Sequence, residues 1–426
     1  MVYAPPRATT TAASLAPTRA DERIDSLDIL RGVALFGILL MNIESFVGPG
    51  LLGITGVDPT LQGADRAVDA VIYVLVQGKF YAIFSLLFGM GFALMQQRAQ
   101  AAGRMAEAAF LPLYLRRLAA LLVIGLAHAL LLWSGDILVT YALAALPMVL
   151  LLRDAPTRLL PWLAVPLLLL APAIMFGFGL LGWLSLQVPE AADAMRADLA
   201  QYAAEVQAMV YAERAAHGPG GSYLQAVAQR ADEVAFVFEG MVVLFWQVLG
   251  LFLLGAWCLR SGAIRDPQAW PRFHAALRWG ALPLGAAAMW ASYAILPTLP
   301  FDRLDLETGS ATALQLIAGP LMGLGYVAWM LRALPALRWV APAGRMALTN
   351  YLMQSLVCTL IFYGYGLGYF EQLPRAWQPL FVLALFLAQV ALSHWWLARF
   401  RFGPMEWLWR GATYGRLPAL RRAPAP

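Results

Sequence analysis

"GLAHALLLWSGDIL", residues 125–138, places a histidine, a serine and an aspartate in a stretch otherwise apolar enough to lie in lipid. Apolar runs extend on both sides, over 118–133 and 137–152, so Ser134, Gly135 and Asp136 read as the tight turn of a helical hairpin inside a membrane. The rest of the chain supports that reading. Of 426 residues, 61% are hydrophobic and 13% charged, and the mean hydropathy is +0.66, so most of the surface must face lipid rather than water. Eight further runs approach the roughly 20 residues needed to cross a bilayer, at 27–47, 70–95, 159–186, 234–258, 279–297, 311–331, 346–370 and 378–398. The expected fold class is an all-α, polytopic integral membrane bundle of about ten transmembrane helices.

The arginines give this bundle a direction, because basic residues beside membrane spans are retained on the cytoplasmic side. With ten crossings and the N-terminus inside, twenty-three arginines fall on the inner side and six on the outer; Lys79, the sole lysine, lies within the second run. Both termini are therefore expected to be cytoplasmic. Orientation accounts for the net charge of +5 without a nucleic-acid partner. Residues 1–26, rich in Ala, Thr and Pro, read as a disordered cytoplasmic segment, and 27–398 as the bundle. The tail 399–426 carries an interfacial helix starting at Pro404, anchored by Trp407 and Trp409. No cleavable signal peptide is evident. Cys258 and Cys358 lie in or at the end of spans, and neither a disulfide nor a metal site is expected.

Residues 187–232 are too long for a simple connection. Met195, Leu199, Tyr202, Val206, Met209 and Val210 form a helical stripe before the breaker "HGPGGS" (217–222), predicting an amphipathic outer helix that lies on the leaflet or lids a site.

Ionisable and amide groups inside spans are costly and tend to face a cavity or a partner. Asn42 lies 11 residues beyond Arg31 and His128 lies 11 beyond Arg117, which at 1.5 Å per residue puts both roughly 16 Å from the inner surface. The simplest geometry is an outward-opening pocket lined by His128, Asn42, Glu44 and Asp136. Each has a plainer role available. Asp136 is placed to cap the fourth helix, Asn42 to bond between helices, Glu44 to reach outer water and His128 to donate to a carbonyl. Lys79, Glu239, Asn350 and Gln354 are candidates for substrate contacts. Against this, Lys79 could snorkel at the start of a shorter second span, and Asn350 and Gln354, four apart in "GRMALTNYLMQSL" (344–356), could join helices.

Four motifs carry a family resemblance: "RIDSLDILRGVALFGILLMNI" (23–43), "GKFYAIFSLLFGMGFAL" (78–94), "GLAHALLLWSGDIL" and "GRMALTNYLMQS" with "FRFGPMEWLWRGATYG". Together they look like the YeiB-like bacterial membrane proteins, whose C-terminal region, about 240–416 here, is the domain of unknown function 418 (DUF418). The resemblance implies a distant relation to transmembrane acyltransferases, including the acyltransferase-three proteins and the heparan glucosaminide N-acetyltransferase. The former are similar at Arg31-Gly32 but carry a histidine at the place of Asn42. The latter has asparagine there and its catalytic histidine 11 residues later, where this chain has Gly53. His128 is therefore nominated by depth and not by motif.

The implied chemistry is transfer of an acyl group from cytoplasmic acyl-CoA to an outward-facing hydroxyl or amine of a small molecule, glycan or lipid. His128 would take the acceptor's proton and Asn42 would stabilise the oxyanion, while Glu44 or Asp136 would orient the imidazole. Arg31, Arg116, Arg117 and Arg345 would hold the coenzyme's phosphates. The expected location is the bacterial cytoplasmic (inner) membrane. The same mid-membrane polar groups and glycine-rich helices, "FGMGF" (88–92) and "IFYGYGLGY" (361–369), also suit a transporter or flippase of a small or lipid-linked solute. A scaffold or sensor without turnover is a third class.

Overall fold

The computed structural model describes residues 24–422, apart from the side chains of residues 237–239. Its helices are α1 (Asp25–Val47), α2 (Gly63–Leu75), α3 (Phe80–Ala101), α4 (Arg104–Leu131), α5 (Leu138–Leu150), α6 (Leu160–Ser185), α7 (Pro189–His217) and α8 (Tyr223–Arg260). The C-terminal half adds α9 (Pro271–Ala276), α10 (Leu282–Ile295), α11 (Leu306–Met330), α12 (Leu334–Leu337), α13 (Ala341–Arg345), α14 (Ala347–Phe362), α15 (Gln378–Arg399) and α16 (Pro404–Tyr414). Among the described residues, seven segments are long and apolar enough to cross a membrane: Asp25–Val47, Gly63–Ala101, Arg104–Leu131, Thr157–Ser185, Gly240–Arg260, Leu306–Met330 and Arg375–Arg399. The chain is thus an all-α, multi-pass membrane bundle. Helices α5 and α14 are apolar but shorter. At 13 residues α5 rises about 20 Å, against a hydrocarbon thickness of about 30 Å.

Close backbone approach organises the centre. A Cβ on Gly89 would lie 2.0 Å from the Phe252 carbonyl, and one on Gly255 2.0 Å from that of Leu86, so α3 and α8 meet backbone to backbone. Phe88 stacks on Phe252 with ring centroids 4.7 Å apart. Buried Leu86, Met90, Phe92, Leu121, Tyr141 and Leu249 extend the same core across α4 and α5. Helix α1 packs against α3, α13, α14 and α15.

Several expected boundaries shift for identifiable reasons. The run 70–95 is two helices, broken where Gly78 takes a φ of +80°. Lys79, expected to contact substrate or to snorkel, is instead fully buried and donates from Nζ to the Tyr73 carbonyl at 3.1 Å, closing the C-terminal turn of α2. Helix α4 begins at Arg104, not residue 118, because Arg117 is absorbed into the fold with its guanidinium 3.5 Å over the Trp409 ring. Helix α14 ends at Phe362, not residue 370; the glycines that follow close a turn in which the Leu367 N–H donates to the Leu360 carbonyl. The seventh run starts earlier, at α9, and passes through a π-helical turn at Leu277–Ala281 into α10. The stripe expected in 187–232 forms α7. Its C-terminal half docks on the bundle, with Val206 and Val210 buried against Leu51, while Tyr202 stays exposed. A capping box at Ser222 and Gln225 then starts α8.

Candidate functional site

The hairpin stretch folds as a sharp reversal from α4 into α5. Gly125 makes it feasible: a Cβ there would lie 2.8 Å from the Val139 nitrogen and 3.0 Å from both Asp136 Oδ2 and the Leu138 Cβ. Asp136 Oδ2 accepts the Val139 N–H at 2.8 Å, the capping interaction expected of it. Its other oxygen, Oδ1, lies 2.7 Å from His128 Nδ1. On the far side of the imidazole, Nε2 lies 2.8 Å from Ser355 Oγ on α14. Asp136, His128 and Ser355 are 4%, 2% and 1% exposed. A carboxylate, an imidazole and a hydroxyl thus form one hydrogen-bonded chain, in the order that activates a serine nucleophile.

Asn42 and Glu44 are not in this chain. Equal depth is no guarantee of adjacency, since α1 faces α3, α13, α14 and α15 and both imidazole nitrogens are already taken. Glu44 Oε2 pairs with Arg375 at 2.9 Å, and Arg375 Nε reaches Asp69 at 2.8 Å. This buried ion cluster ties α1 and α2 to the start of α15. Asn42 is half-buried on α1. Asn350 and Gln354 face α15: Asn350 Nδ2 donates to Ser393 Oγ, and Gln354 Nε2 to Gln389 Oε1, each at 3.0 Å. Their neighbours Tyr351 and Ser355 occupy the next i, i+4 face and meet His128, the Tyr351 ring centroid lying 5.1 Å from that of the imidazole. Reading one amide stripe therefore missed the hydroxyl stripe beside it. Glu239 lies in α8, its side chain outside what the structure describes.

A cavity of about 330 Å³ runs between Tyr351 and the end of the bundle that carries the arginines. Among the described residues, Arg31, Arg98, Arg117, Arg345 and Arg410 line it, with Asp28 and Glu406 as the carboxyl groups. Arg31 pairs with Asp28 at 2.9 Å. Glu406, half-buried in α16, accepts from the Thr349 N–H and hydroxyl, and desolvation raises its carboxyl above the ordinary range. Arginines thus outnumber carboxyl groups among the described residues of the lining. Arg116 stands apart, bonding the Ala412 carbonyl. The cavity ends at Tyr351, one side chain short of His128. The tail helix, expected to be only an interfacial anchor, supplies Trp409 to the cavity wall, with its indole N–H on the Arg117 carbonyl at 2.9 Å.

A second buried polar group lies across the hairpin turn, at the opposite end of the bundle. Glu213 on α7 accepts the Gly50 N–H at 2.8 Å, and His217 stacks on Tyr363 at 4.0 Å. Burial pushes the Glu213 carboxyl up to about 7 despite that hydrogen bond. It raises Glu233 likewise to about 7, with Glu213 adding to the rise and Ser134 opposing it, and lowers His217 to about 4. Among the described residues no group of three His, Cys, Asp or Glu side chains is placed to hold a metal ion.

The fold and the buried serine–histidine–aspartate chain define a multi-pass helical membrane protein with a polar centre inside its bundle. Residues 258–416 match the family described as "Protein of unknown function (DUF418)". The chain is 34% identical to the uncharacterized protein YxaH of Bacillus subtilis (strain 168), over 94% of its length and 96% of that protein's. It is 32% identical to the uncharacterized protein YeiB of Escherichia coli (strain K12), over 92% and 96% respectively. An uncharacterized 39.9 kDa protein from the amylase 3' region of Bacillus acidopullulyticus shows 27% identity over 94% and 96%. The chain belongs to the YeiB-like DUF418 family. No solved structure matches it.

Proposed function

We propose that this protein is a transmembrane acyltransferase of the bacterial cytoplasmic membrane, with both termini inside. It takes an acyl group from acyl-CoA at the arginine-lined cavity and delivers it to a hydroxyl or amine acceptor, a small molecule, glycan or lipid, reached from the other face. One observation carries the reading: an arginine-lined cavity leads to Tyr351, and directly behind Tyr351 stands an imidazole held between a carboxylate and a hydroxyl. The arginines suit the phosphates of a coenzyme, and a cavity of a few hundred Å³ suits its thioester arm. Asp136 fixes the tautomer and orientation of His128, which moves the proton. Arg31, Arg117 and Arg345 belong to the cavity and Arg116 does not, so phosphate contact falls to the first three together with Arg98 and Arg410.

The direct test is thermal unfolding of the purified protein in detergent with acetyl-, succinyl- and longer acyl-CoA. A ligand at 100 times its dissociation constant stabilises the folded state by about 2.7 kcal/mol. A saturable rise in midpoint that is lost in an Arg117→Ala/Arg345→Ala double variant supports the reading. No shift with any thioester, or solute flux in proteoliposomes without an acyl donor, overturns it in favour of transport.

A further inference from the structure

We infer that Ser355 is a covalent acyl carrier, so that transfer proceeds in two half-reactions through a seryl ester inside the bundle. The inference rests on the acyltransferase reading and deepens it. In a single-step mechanism, His128 would have to receive the proton of the acceptor on a free ring nitrogen. Neither nitrogen is free: Nδ1 faces Asp136 at 2.7 Å and Nε2 faces Ser355 Oγ at 2.8 Å. The proton within reach of the imidazole is the serine's own.

The behaviour of other hydroxyls in this chain sharpens the point. A serine or threonine inside a helix ordinarily donates to the carbonyl four residues back. Ser85 does so to Tyr81 at 2.8 Å, Thr312 to Thr308 at 2.8 Å and Thr413 to Trp409 at 2.7 Å. Ser355, like Ser292, which donates to the Ala311 carbonyl of another helix, departs from that pattern, and its partner is the imidazole. Tyr351, four residues earlier on the same face, lines the cavity and touches the imidazole, and its buried hydroxyl has no acceptor within hydrogen-bond distance. A shift of that ring admits the thioester, and its phenol supplies a donor for the developing oxyanion.

The chemistry balances. Ser355 Oγ adds to the thioester carbonyl carbon as His128 Nε2 takes the hydroxyl proton. The carbon–sulfur bond then breaks, and the imidazolium returns that proton to the leaving thiolate, giving free coenzyme A and an acyl ester on Ser355. In the second half, the acceptor's oxygen or nitrogen attacks the ester carbonyl and gives up its proton to His128. The ester bond breaks, the proton passes to Ser355 Oγ, and the acylated acceptor leaves.

The test uses the full chain in nanodiscs with acetyl-CoA as probe and no acceptor. Thiol release is followed by stopped flow, and the acid-quenched protein is mapped by mass spectrometry. A burst of one thiol per protein, with acetyl on Ser355, is expected. The Ser355→Ala variant should lose burst and adduct yet keep its acetyl-CoA-dependent rise in thermal midpoint, while Tyr351→Phe should slow the burst at least tenfold. Wild-type protein should also exchange label between acetyl-CoA and isotopically labelled coenzyme A, a readout independent of whether the alanine variant folds. Acyl transfer that strictly requires acceptor, with no exchange and no adduct, overturns the carrier but leaves the acyltransferase reading standing. Failure of wild-type protein to bind or turn over any acyl-CoA overturns both.

Discussion

Asp136 joins the fold to the chemistry, so changing it separates the two. In Asp136→Ala the Val139 N–H loses its cap, worth about 1 kcal/mol. His128 Nδ1 loses a partner at 2.7 Å inside a dry site, which costs a further 1.5–3 kcal/mol or so. We expect a total loss of about 2.5–4 kcal/mol in reversible unfolding from mixed detergent–SDS micelles followed by circular dichroism. Asp136→Asn should cost only about 1 kcal/mol, because its amide oxygen can keep the cap. Its NH₂ then faces Nδ1 and forces the imidazole hydrogen onto Nε2, where it points at Ser355 instead of receiving the serine's proton. Thiol release from acetyl-CoA should therefore fall as far in the asparagine variant as in the alanine one, by about four orders of magnitude if the chain behaves as a Ser–His–Asp triad. An alanine variant within about 0.5 kcal/mol of wild type would refute the network itself. An asparagine variant with wild-type thiol release would refute the role given to Asp136.

Three other outcomes follow from the buried charges and the close packing. Arg375→Ala strands Asp69, which is 1% exposed, and should cost about 3–5 kcal/mol in the same unfolding assay; Arg375→Lys, lacking the fork that spans Glu44, Asp69 and Gln378, should not restore it. Glu213 and Glu233 titrate near 7 when folded against 4.5 unfolded, so each contributes stability at low pH that is lost as pH rises through that interval; His217, lowered from 6.5 to about 4, works in the opposite sense. Two carboxyls outweigh one imidazole, so net stability should decline between about pH 5 and 7, most steeply above 6.5, and a Glu213→Gln/Glu233→Gln variant should make that slope distinctly shallower. Gly125→Ala drives a methyl to within 2.8 Å of the Val139 nitrogen and should lower stability by about 1–3 kcal/mol, with the thermal midpoint as readout.

The membrane class, the hairpin and the His128–Asp136 pair were legible because burying a charge in an apolar run is expensive enough to demand a partner, and the nearest candidate lay eight residues away. Ser355 was not legible. A serine in an apolar helix usually satisfies itself on its own backbone, and only the three-dimensional meeting of α4 with α14 shows that this one does not. Depth reasoning set Asn42 and His128 at one level but said nothing of azimuth, so the proposed partnership with α1 had no geometric basis. Arg117 misled the boundary of α4 for a related reason. Its charge reads as a span end in sequence, whereas Trp409, nearly 300 residues later, covers it. The orientation rule nevertheless grouped the arginines usefully: Arg31, Arg98, Arg117, Arg345 and Arg410, scattered over the chain, meet at one cavity.

That grouping bears on the direction of the proposed reaction. Helix α1 carries Arg31 at the cavity and Glu44 near its other end, 13 residues or about 20 Å away. His128 lies 11 residues, about 16 Å, along α4 from the cavity residue Arg117. The triad thus stands between an arginine-lined end and an end where Asp69, Glu213, Glu233, Arg230 and Arg375 are buried beside a half-buried Glu44. The phosphates of the proposed coenzyme suit the first end, whereas at the second the guanidinium of Arg375 is already taken by Glu44 and Asp69, so in the proposed reaction donor and acceptor reach the centre from different ends. In the proposed reaction, partners that reach the centre at different times call for an intermediary that can hold the acyl group while one leaves and the other arrives. A serine already hydrogen-bonded to the base meets that requirement without any large movement of the helices. An asparagine aimed at an oxyanion from α1 would not, because it can stabilise a transition state but cannot store the group between two encounters.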